Sequence, residues 1–247
     1  MTAALSVVIR TRKFVDDAGA RGWRIVETPV NMVPAQTAVI LCDVWDRHWC
    51  PTAQERLDAM VPGMNQLVAY LREQDVLIVH SPSETMGYYA DHPARQRISV
   101  TDPVAALAKV DAPELPVHIG ATQGCDASVA VRPESVWTRQ HPGIEIDEQR
   151  DVISDDGGEL AHAFRRRGIS TVMLMGVHTN MCILDRSFGI RALVGYGFRT
   201  VLIRDLTDAM YDPADPPYVS HDEGTSLIVD YIEKFLCGTT VGAALLG

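Results

Sequence analysis

Cys182 is the first residue of the sequence that could do covalent chemistry, because of where it stands. It follows the apolar run TVMLMGV and the short link HTNM, and it precedes a stretch with helical spacing of apolar residues. A thiol in the first turn of a helix meets unpaired backbone N–H groups and the positive end of the helix dipole, and both favour the thiolate. The position fits a nucleophile, and it equally fits a small buried structural cysteine.

Asp43 is the second candidate, because it directly follows the apolar run AVILC. That run is typical of a buried parallel strand, and open α/β sheets place their active sites at the carboxyl ends of such strands. A carboxylate there is costly to bury without a partner. Asp43 is therefore either a turn or capping residue or a carboxylate held in a site.

The segment SVWTRQ alternates like a strand, and it delivers a cation, Arg139, and then His141. A guanidinium stays charged in proteins. Arg139 could thus hold Asp43 and stabilise a thiolate, but it could not shuttle protons. Proton transfer would then fall to Asp43 alone.

The elements that must position these residues follow from hydrophobic periodicity. Residues 171–203 read as strand, helix and strand, which is the βαβ pattern of a parallel sheet. The run VLIVHS, which ends at His80, predicts a further strand. A helix is predicted from Pro51 to about Gln74, with a kink or break at Pro62 and Gly63. Two more helices are predicted, over GELAHAFRRRG and from about Glu223 to Leu236.

The length of 247 residues fits a single α/β domain over 1–247 with a full core. Strands at 5–14 and 23–28 predict an N-terminal hairpin within 1–30. The long irregular region 81–134 is expected to be a lid or an oligomer contact, with short helices near 93–98 and 103–108.

Composition excludes several classes of function. The net charge of −10 argues against a nucleic-acid partner, which normally requires a basic surface. No apolar run is long enough to cross a bilayer, and ALSVVI near the N-terminus reads as a strand rather than a signal peptide. Five cysteines without a CxxC pair predict reduced thiols in a cytoplasmic protein.

Taken together, an acid that ends the first sheet strand, a cation that ends the third and GVHTNMC before a helix resemble the isochorismatase-like cysteine hydrolases. That family includes nicotinamidases, N-carbamoylsarcosine amidohydrolase and biuret hydrolase. The resemblance covers about residues 36–236 and implies a doubly wound three-layer sandwich with a mainly parallel central sheet. It also implies a homo-oligomer, either a dimer or a tetramer.

The resemblance implies a catalytic triad of Asp, Lys and Cys. By position, Asp43 is the acid and Cys182 the nucleophile, and the chain departs from the family by offering Arg139 in place of the lysine. The implied reaction is hydrolysis of a small amide, ureido or related C–N bond through a thioester. The resemblance further implies an oxyanion site near the N–H groups of His178 and Cys182, and a cis peptide between Val177 and His178.

Several side chains are expected to border the substrate, although core packing explains the two tryptophans equally well. These residues are Trp45, Trp49, His141 and His178. No cofactor and no metal are expected, because the family's metal-binding Asp-x-His pair after the second strand is absent from the sequence. A metal site could instead be built from Asp46, His48, His80 or His92, but scattered histidines are more often packing or surface groups.

Two other classes of function compete with the hydrolase. The chain could be a catalytically altered member that binds a small ligand or a partner, with Arg139 marking the loss of proton chemistry. It could also be a thiol-redox protein, which is disfavoured because no resolving cysteine lies near Cys182 in the sequence.

Overall fold

Eight strands form one sheet in the part of the chain that the structure, a computed structural model, describes: residues 4–17, 19–98, 104–105, 110–131 and 135–246. The strands are β1 (Leu5–Asp17), β2 (Ala20–Met32), β3 (Thr37–Cys42), β4 (Leu77–Ser81), β5 (Val152–Ile153), β6 (Thr171–Val177), β7 (Arg199–Asp208) and β8 (Gly238–Thr240). Their order across the sheet is β2-β1-β8-β7-β6-β3-β4-β5. The strands from β8 to β5 are parallel to one another, and β1 and β2 are antiparallel.

Helices cover both faces of this sheet. They are α1 (Pro51–Glu73), α2 (Pro93–Gln96), α3 (Gly157–Arg166), α4 (Cys182–Asp185), α5 (Ile190–Gly195) and α6 (His221–Phe235), with 3-10 turns at Pro34–Gln36 and Gly242–Leu245. Successive side chains of a strand point to opposite faces of the sheet, so the core has two halves. Ile40 packs in the half that contains α3, α5 and α6, and Val39 packs in the half that contains α1. The predicted three-layer α/β architecture is confirmed.

None of the described helices is both long enough and apolar enough to cross a bilayer. The longest of them, α1, is amphipathic and lays its apolar stripe on the sheet. Packing of that stripe keeps the chain helical across Pro62, because most helical stability in proteins comes from tertiary contacts. The expected break at Pro62 and Gly63 was therefore wrong.

The two central strands, β3 and β6, approach each other closely at their carboxyl ends. Cys42 pairs there with Gly176, whose φ of +116° lies in a region that L side chains rarely adopt. A β-carbon at Gly176 would overlap the carbonyl oxygen of Cys42. Glycine is thus required where the tips of β3 and β6 bring Asp43 and His178 toward the same edge.

The predicted N-terminal strands lie within β1 and β2, which pair along their whole length. One residue pair, Arg10 with Thr239, joins β1 to β8 and so extends the main sheet. The short helix predicted near 93–98 corresponds to α2, whereas the one near 103–108 falls largely outside the described residues.

The segment SVWTRQ is not a sheet strand, contrary to the prediction. Among the described residues, its β-type backbone pairing is one isolated bridge between Gln140 and Trp45. Within this segment, the N–H of Thr138 donates a hydrogen bond to the side chain of Asp46, and the ring of Trp137 stacks on that of Trp45. The edge strand beside β4 is instead β5.

The helix predicted after Cys182 is split in two. The first piece, α4, is a single turn, and Arg186 then leaves the helical conformation with φ −58° and ψ 158°. A second piece, α5, begins only at Ile190. Apolar spacing alone suggested one helix, because Phe188, which lies at the break, is buried as a core-facing helical residue would be.

Cys50 and Cys125 form a disulfide, contrary to the expectation of reduced thiols. The two residues are 75 positions apart, so only the fold brings them together. Cys42, Cys182 and Cys237 are free. Structural disulfides persist mainly in oxidising compartments, which weighs against the predicted cytoplasmic location.

Replacing both Cys50 and Cys125 with serine should lower the free energy of unfolding by about 4 kcal/mol, because the cross-link restricts a long loop in the unfolded chain. Urea unfolding of the wild type and the double variant measures this difference. Reductant should bring the wild type to the stability of the variant and leave the variant unchanged. Five titratable thiols in the unreduced, unfolded wild type would contradict the disulfide.

Candidate active site

A carboxylate, a thiol and a guanidinium meet at the carboxyl edge of the central strands. Asp43 follows β3 and is fully buried. Its Oδ1 accepts the N–H of Ser83 at 2.8 Å, and its Oδ2 accepts Nε of Arg186 at 2.9 Å. The thiol of Cys182, at the start of α4, lies beside the same carboxylate, close enough for each group to shift the pKa of the other. The structure thus brings together the predicted acid and the predicted nucleophile.

The backbone of Asp43 adopts φ +51°, which is uncommon for a residue with a side chain. Hydrogen bonds hold it there: its N–H donates to Ser81 at 3.0 Å, and its carbonyl accepts the N–H of Trp45 at 2.9 Å. Strained backbone of this kind costs about 1–3 kcal/mol and is found at functional sites. Here the strained turn places the carboxylate at the edge where α4 begins.

The protonation states of Asp43 and Cys182 are set mainly by burial. Burial raises the pKa of Asp43, and the charge of Arg186 opposes that rise. Burial also raises the pKa of Cys182, and the neighbouring carboxylate raises it further. The thiol is therefore protonated at rest, and it depends on Asp43 to remove its proton. The expected acidification by a helix dipole was wrong, because α4 is only one turn long.

Arg186, and not Arg139, is the cation beside Asp43, so that prediction was wrong. The guanidinium of Arg139 is exposed, donates to the hydroxyl of Tyr88 at 3.0 Å and lies 5.7 Å from the centre of that ring. The segment that carries Arg139 runs beside residues 44–46, but its guanidinium is engaged by Tyr88 rather than by Asp43. Arg186 instead follows Cys182 by one helical turn and also approaches Glu84 at 3.4 Å.

A cavity of about 490 Å³ opens beside the sulfur of Cys182. Its lining is largely aromatic and apolar, and comprises Trp45, His48, Trp49, Glu84, Ala121, Gln123, Val131, Trp137, His178, Met181, Cys182, Arg186 and Met210. The rings of Trp45 and Trp137 stack with centroids 3.9 Å apart. Trp45, Trp49 and His178 therefore lie where the sequence predicted, whereas His141 does not line this cavity.

The two histidines of the cavity are neutral at physiological pH. Burial lowers the pKa of His178 to about 3 and that of His48 to about 4. Their Nε2 atoms are 3.3 Å apart, and Nδ1 of His48 accepts the N–H of Cys50 at 3.1 Å. A neutral His48 must then carry its proton on Nε2 and donate it to His178. Neither ring can serve as a charged acid.

Backbone N–H groups surround the sulfur. The predicted cis peptide between Val177 and His178 is present. The N–H of His178 lies near the Cys182 sulfur and acts to lower its pKa. Within the described residues, neither the N–H of His178 nor that of Cys182 donates to a backbone carbonyl. The Val177 side chain is buried in the core, so only its backbone belongs to the site.

The remaining histidines named from the sequence are used elsewhere. His141 lies 3.2 Å from a carboxylate oxygen of Asp58. The ring of His80 lies 2.9 Å from Oε1 of Gln140 and 3.0 Å from Oδ2 of Asp151. His92 caps α2.

The four residues considered for a metal, Asp46, His48, His80 and His92, thus face different partners. Asp46 accepts hydrogen bonds from Thr138. Among the described residues, no group of three or more His, Cys, Asp or Glu side chains is arranged to hold a metal ion.

Comparison with known proteins agrees with this geometry. The isochorismatase domain model matches residues 37–215, which is most of the chain. The chain belongs to the isochorismatase family. No curated protein matches its sequence significantly.

Solved structures show the same fold at low identity. A cysteine hydrolase from Pseudomonas syringae pv. phaseolicola 1448A is 17% identical, with 86% of this chain and 92% of that chain covered and a TM-score of 0.54. An isochorismatase from Pseudomonas putida KT2440 is 14% identical, with 86% and 91% covered and a TM-score of 0.51. At these identities the likeness to this isochorismatase-family chain shows the fold alone.

Three site residues of this isochorismatase-family protein were missed from the sequence. Arg186 could have been found from its spacing of four after Cys182, which puts both on one side of a helical turn. Trp137 was missed because its segment, SVWTRQ, was interpreted as a strand from which only Arg139 and His141 were considered. Glu84, with φ +68°, carried no sequence signal.

Replacing Asp43 with asparagine should shift alkylation of Cys182 by iodoacetamide to lower pH. The change removes a negative charge from beside the thiol and leaves the positive charge of Arg186, and both effects lower the pKa of Cys182. Alkylation rates from pH 6 to 10, followed by peptide mass spectrometry, measure the shift. Cys182→Ala supplies the background, and a shift to higher pH would contradict the assignment.

Proposed function

We propose that this isochorismatase-family protein is a cysteine-dependent hydrolase of a small amide, ureido or related C–N bond. The observation that carries the proposal is that the Cys182 thiol lies beside a buried carboxylate, Asp43, at the wall of a cavity large enough for a small molecule. A nucleophile, a base within reach and an orienting third group are the parts that covalent catalysis needs. Arg186 is the third group.

In the first half-reaction, Asp43 takes the proton of Cys182 as the sulfur attacks the substrate carbonyl carbon. A C–S bond forms, and the electron pair of the C=O double bond moves to the oxygen. The N–H groups of His178 and Cys182 stabilise that oxyanion. The oxyanion then re-forms the carbonyl, the C–N bond breaks, and Asp43 gives its proton to the leaving amine.

The second half-reaction hydrolyses the thioester on Cys182. Water attacks the acyl carbon while Asp43 accepts one of its protons. The C–S bond breaks as the tetrahedral intermediate collapses, and the sulfur regains a proton from Asp43. The product acid leaves, and the enzyme returns to its starting state without a cofactor.

Arg186 contributes a permanent positive charge. A guanidinium does not release its proton in a protein, so Arg186 keeps Asp43 ionised and stabilises the negative charge that moves between carboxylate and sulfur. The proton itself travels only through Asp43. The sequence analysis gave this role, a fixed charge that holds Asp43 without moving a proton, to Arg139, and the proposal gives it to Arg186.

A second candidate function is binding without turnover. The raised pKa of Cys182 and the ion pairs that engage Arg186 would suit an inert thiol in a ligand pocket. A Cys182 thiol that resists alkylation at neutral pH, together with no hydrolysis of any small amide, would favour this alternative. Assembly as a homo-oligomer and a cytoplasmic location remain predictions from the sequence.

Cys182→Ala should reduce release of ammonia or amine from a panel of small amides and ureides by about 1,000-fold or more, because the nucleophile is lost. Circular dichroism checks that the fold is kept. Cys237→Ala is the matched control and should retain activity, since Cys237 lies away from the cavity. Equal turnover by Cys182→Ala and the wild type would refute the mechanism.

Arg186→Gln should lower kcat/KM by roughly 100-fold, which is typical for loss of one group that stabilises transition-state charge. Arg139→Gln should have a much smaller effect, because its guanidinium does not touch Asp43. Steady-state kinetics on one substrate decides between them. If Arg139→Gln were the more damaging change, the sequence-based assignment would be restored.

The kcat/KM of the wild type should fall at low pH with a midpoint above 3.8, the ordinary value for an aspartate, because the pKa of Asp43 is raised. The base works only when ionised, so activity is lost as pH falls through that raised pKa. In Arg186→Gln the midpoint should move higher still, since Arg186 lowers the pKa of Asp43. An unchanged midpoint in this variant would show that another group controls the profile.

A further inference from the structure

Glu84 lines the cavity beside Cys182, and the proposed mechanism gives it no part. Its Oε1 lies 3.4 Å from two guanidinium nitrogens of Arg186, and its Oε2 accepts the hydroxyl of Ser135 at 2.5 Å. The side chain is nevertheless 47% exposed. An ionised carboxylate has about four acceptor sites. Glu84 can therefore accept a further hydrogen bond from a molecule in the cavity.

The backbone at Glu84 holds this carboxylate at the cavity wall. Its φ is +68°, and its N–H donates to Oδ2 of Asp155 at 3.0 Å. Residues with side chains adopt such a φ rarely, and those that do are concentrated at functional sites. The turn after β4 thus presents a carboxylate to the cavity, as the turn after β3 presents Asp43.

The described charges around the cavity are predominantly negative. Glu84 and Arg186 are the charged side chains of its described lining, because the two cavity histidines are neutral. Arg186 faces both Asp43 and Glu84, so one guanidinium meets two carboxylates. Asp155, which accepts the N–H of Glu84, adds a further carboxylate. An anionic substrate would be repelled by this arrangement, and a cationic one would be attracted.

The next described cation does not reverse the balance. Arg56, whose charge acts on His48, is itself paired with Asp126 at 3.0 Å and with Asp208 at 2.9 Å. His221 also contacts Asp208. Even with His221 protonated, this group of two cations and two carboxylates carries no net positive charge.

Tryptophan rings supply the rest of a site for an organic cation. Trp45, Trp49 and Trp137 line the cavity, and the last two are only partly buried. The face of an indole ring attracts a cation, more strongly than the ring of Tyr or Phe does. A carboxylate among tryptophans therefore suits a positively charged nitrogen that is carried on an apolar body, because the charge is paired and the carbon atoms are packed.

We propose that this cavity selects small amides or ureides that carry a positively charged nitrogen on an apolar or aromatic body, with Glu84 as the counter-ion. The charged nitrogen donates hydrogen bonds to the Glu84 carboxylate, and the body packs on Trp49 and Trp137. The inference rests on the proposed hydrolase function and names its class of substrate and a residue that determines specificity.

Three matched benzamides test the preference. They are para-aminomethylbenzamide, a cation, para-ethylbenzamide, its neutral analogue of similar shape, and para-carbamoylbenzoate, an anion. The kcat/KM should be at least about 10-fold higher for the cation than for the neutral amide, and lowest for the anion. Glu84→Gln should lower the ratio of cation to neutral amide by about 10-fold. Glu148→Gln, which removes the charge of an exposed glutamate outside the lining, should change that ratio less than about 2-fold.

Calorimetric titration of Cys182→Ala with the same three amides measures binding without turnover. The cation should bind most tightly, and Glu84→Gln in the Cys182→Ala background should remove its advantage. Preferential binding of the cation, with no amide hydrolysed by the wild type, would reject the hydrolase and keep the binding preference. Hydrolysis that favours the neutral or the anionic amide would keep the hydrolase and overturn this inference. Binding of none of the three, or a preference that survives Glu84→Gln, would also overturn it.

Discussion

The buried carboxylate of Asp43 is the constraint on which the site depends. An ionised carboxylate removed from water costs several kcal/mol unless it is paired and hydrogen-bonded. Arg186, the N–H of Ser83 and the Cys182 thiol provide those contacts. The surrounding backbone conforms to this need: α4 ends after one turn so that Arg186 faces the carboxylate, and Asp43 itself takes a strained conformation.

The same interaction limits the chemistry of the site. Asp43 and Cys182 share one proton, and their titrations belong to the pair rather than to either residue. The two histidines of the cavity are held neutral, and Arg186 cannot release a proton. Proton transfer by titratable side chains at this sulfur is therefore left to the carboxylate. The permanent positive charge of Arg186 favours the ionised form of Asp43, which can then accept the proton of the Cys182 thiol.

The loops around the sheet build most of the wall of the active-site cavity. The disulfide between Cys50 and Cys125 ties the start of α1 to the loop that carries Ala121 and Gln123 on the cavity wall. The stacked pair of Trp45 and Trp137 forms another wall. A fold shared with known hydrolases does not itself specify a substrate. That choice lies with these aromatic walls.

The sequence by itself determined the layered fold, because strand and helix periodicity reports which local segments bury apolar side chains. It also predicted that Asp43 and Cys182 lie at one edge of the sheet, since Asp43 directly follows an apolar strand and Cys182 follows another after the link HTNM. Tertiary structure decided which cation meets Asp43, where β5 lies and which cysteines pair. These depend on contacts between residues far apart in the chain. In residues 135–141, the stacking of Trp137 and the hydrogen bonds to the side chain of Asp46 outweighed strand propensity. Arg186, rather than Arg139, is therefore the cation that contacts Asp43.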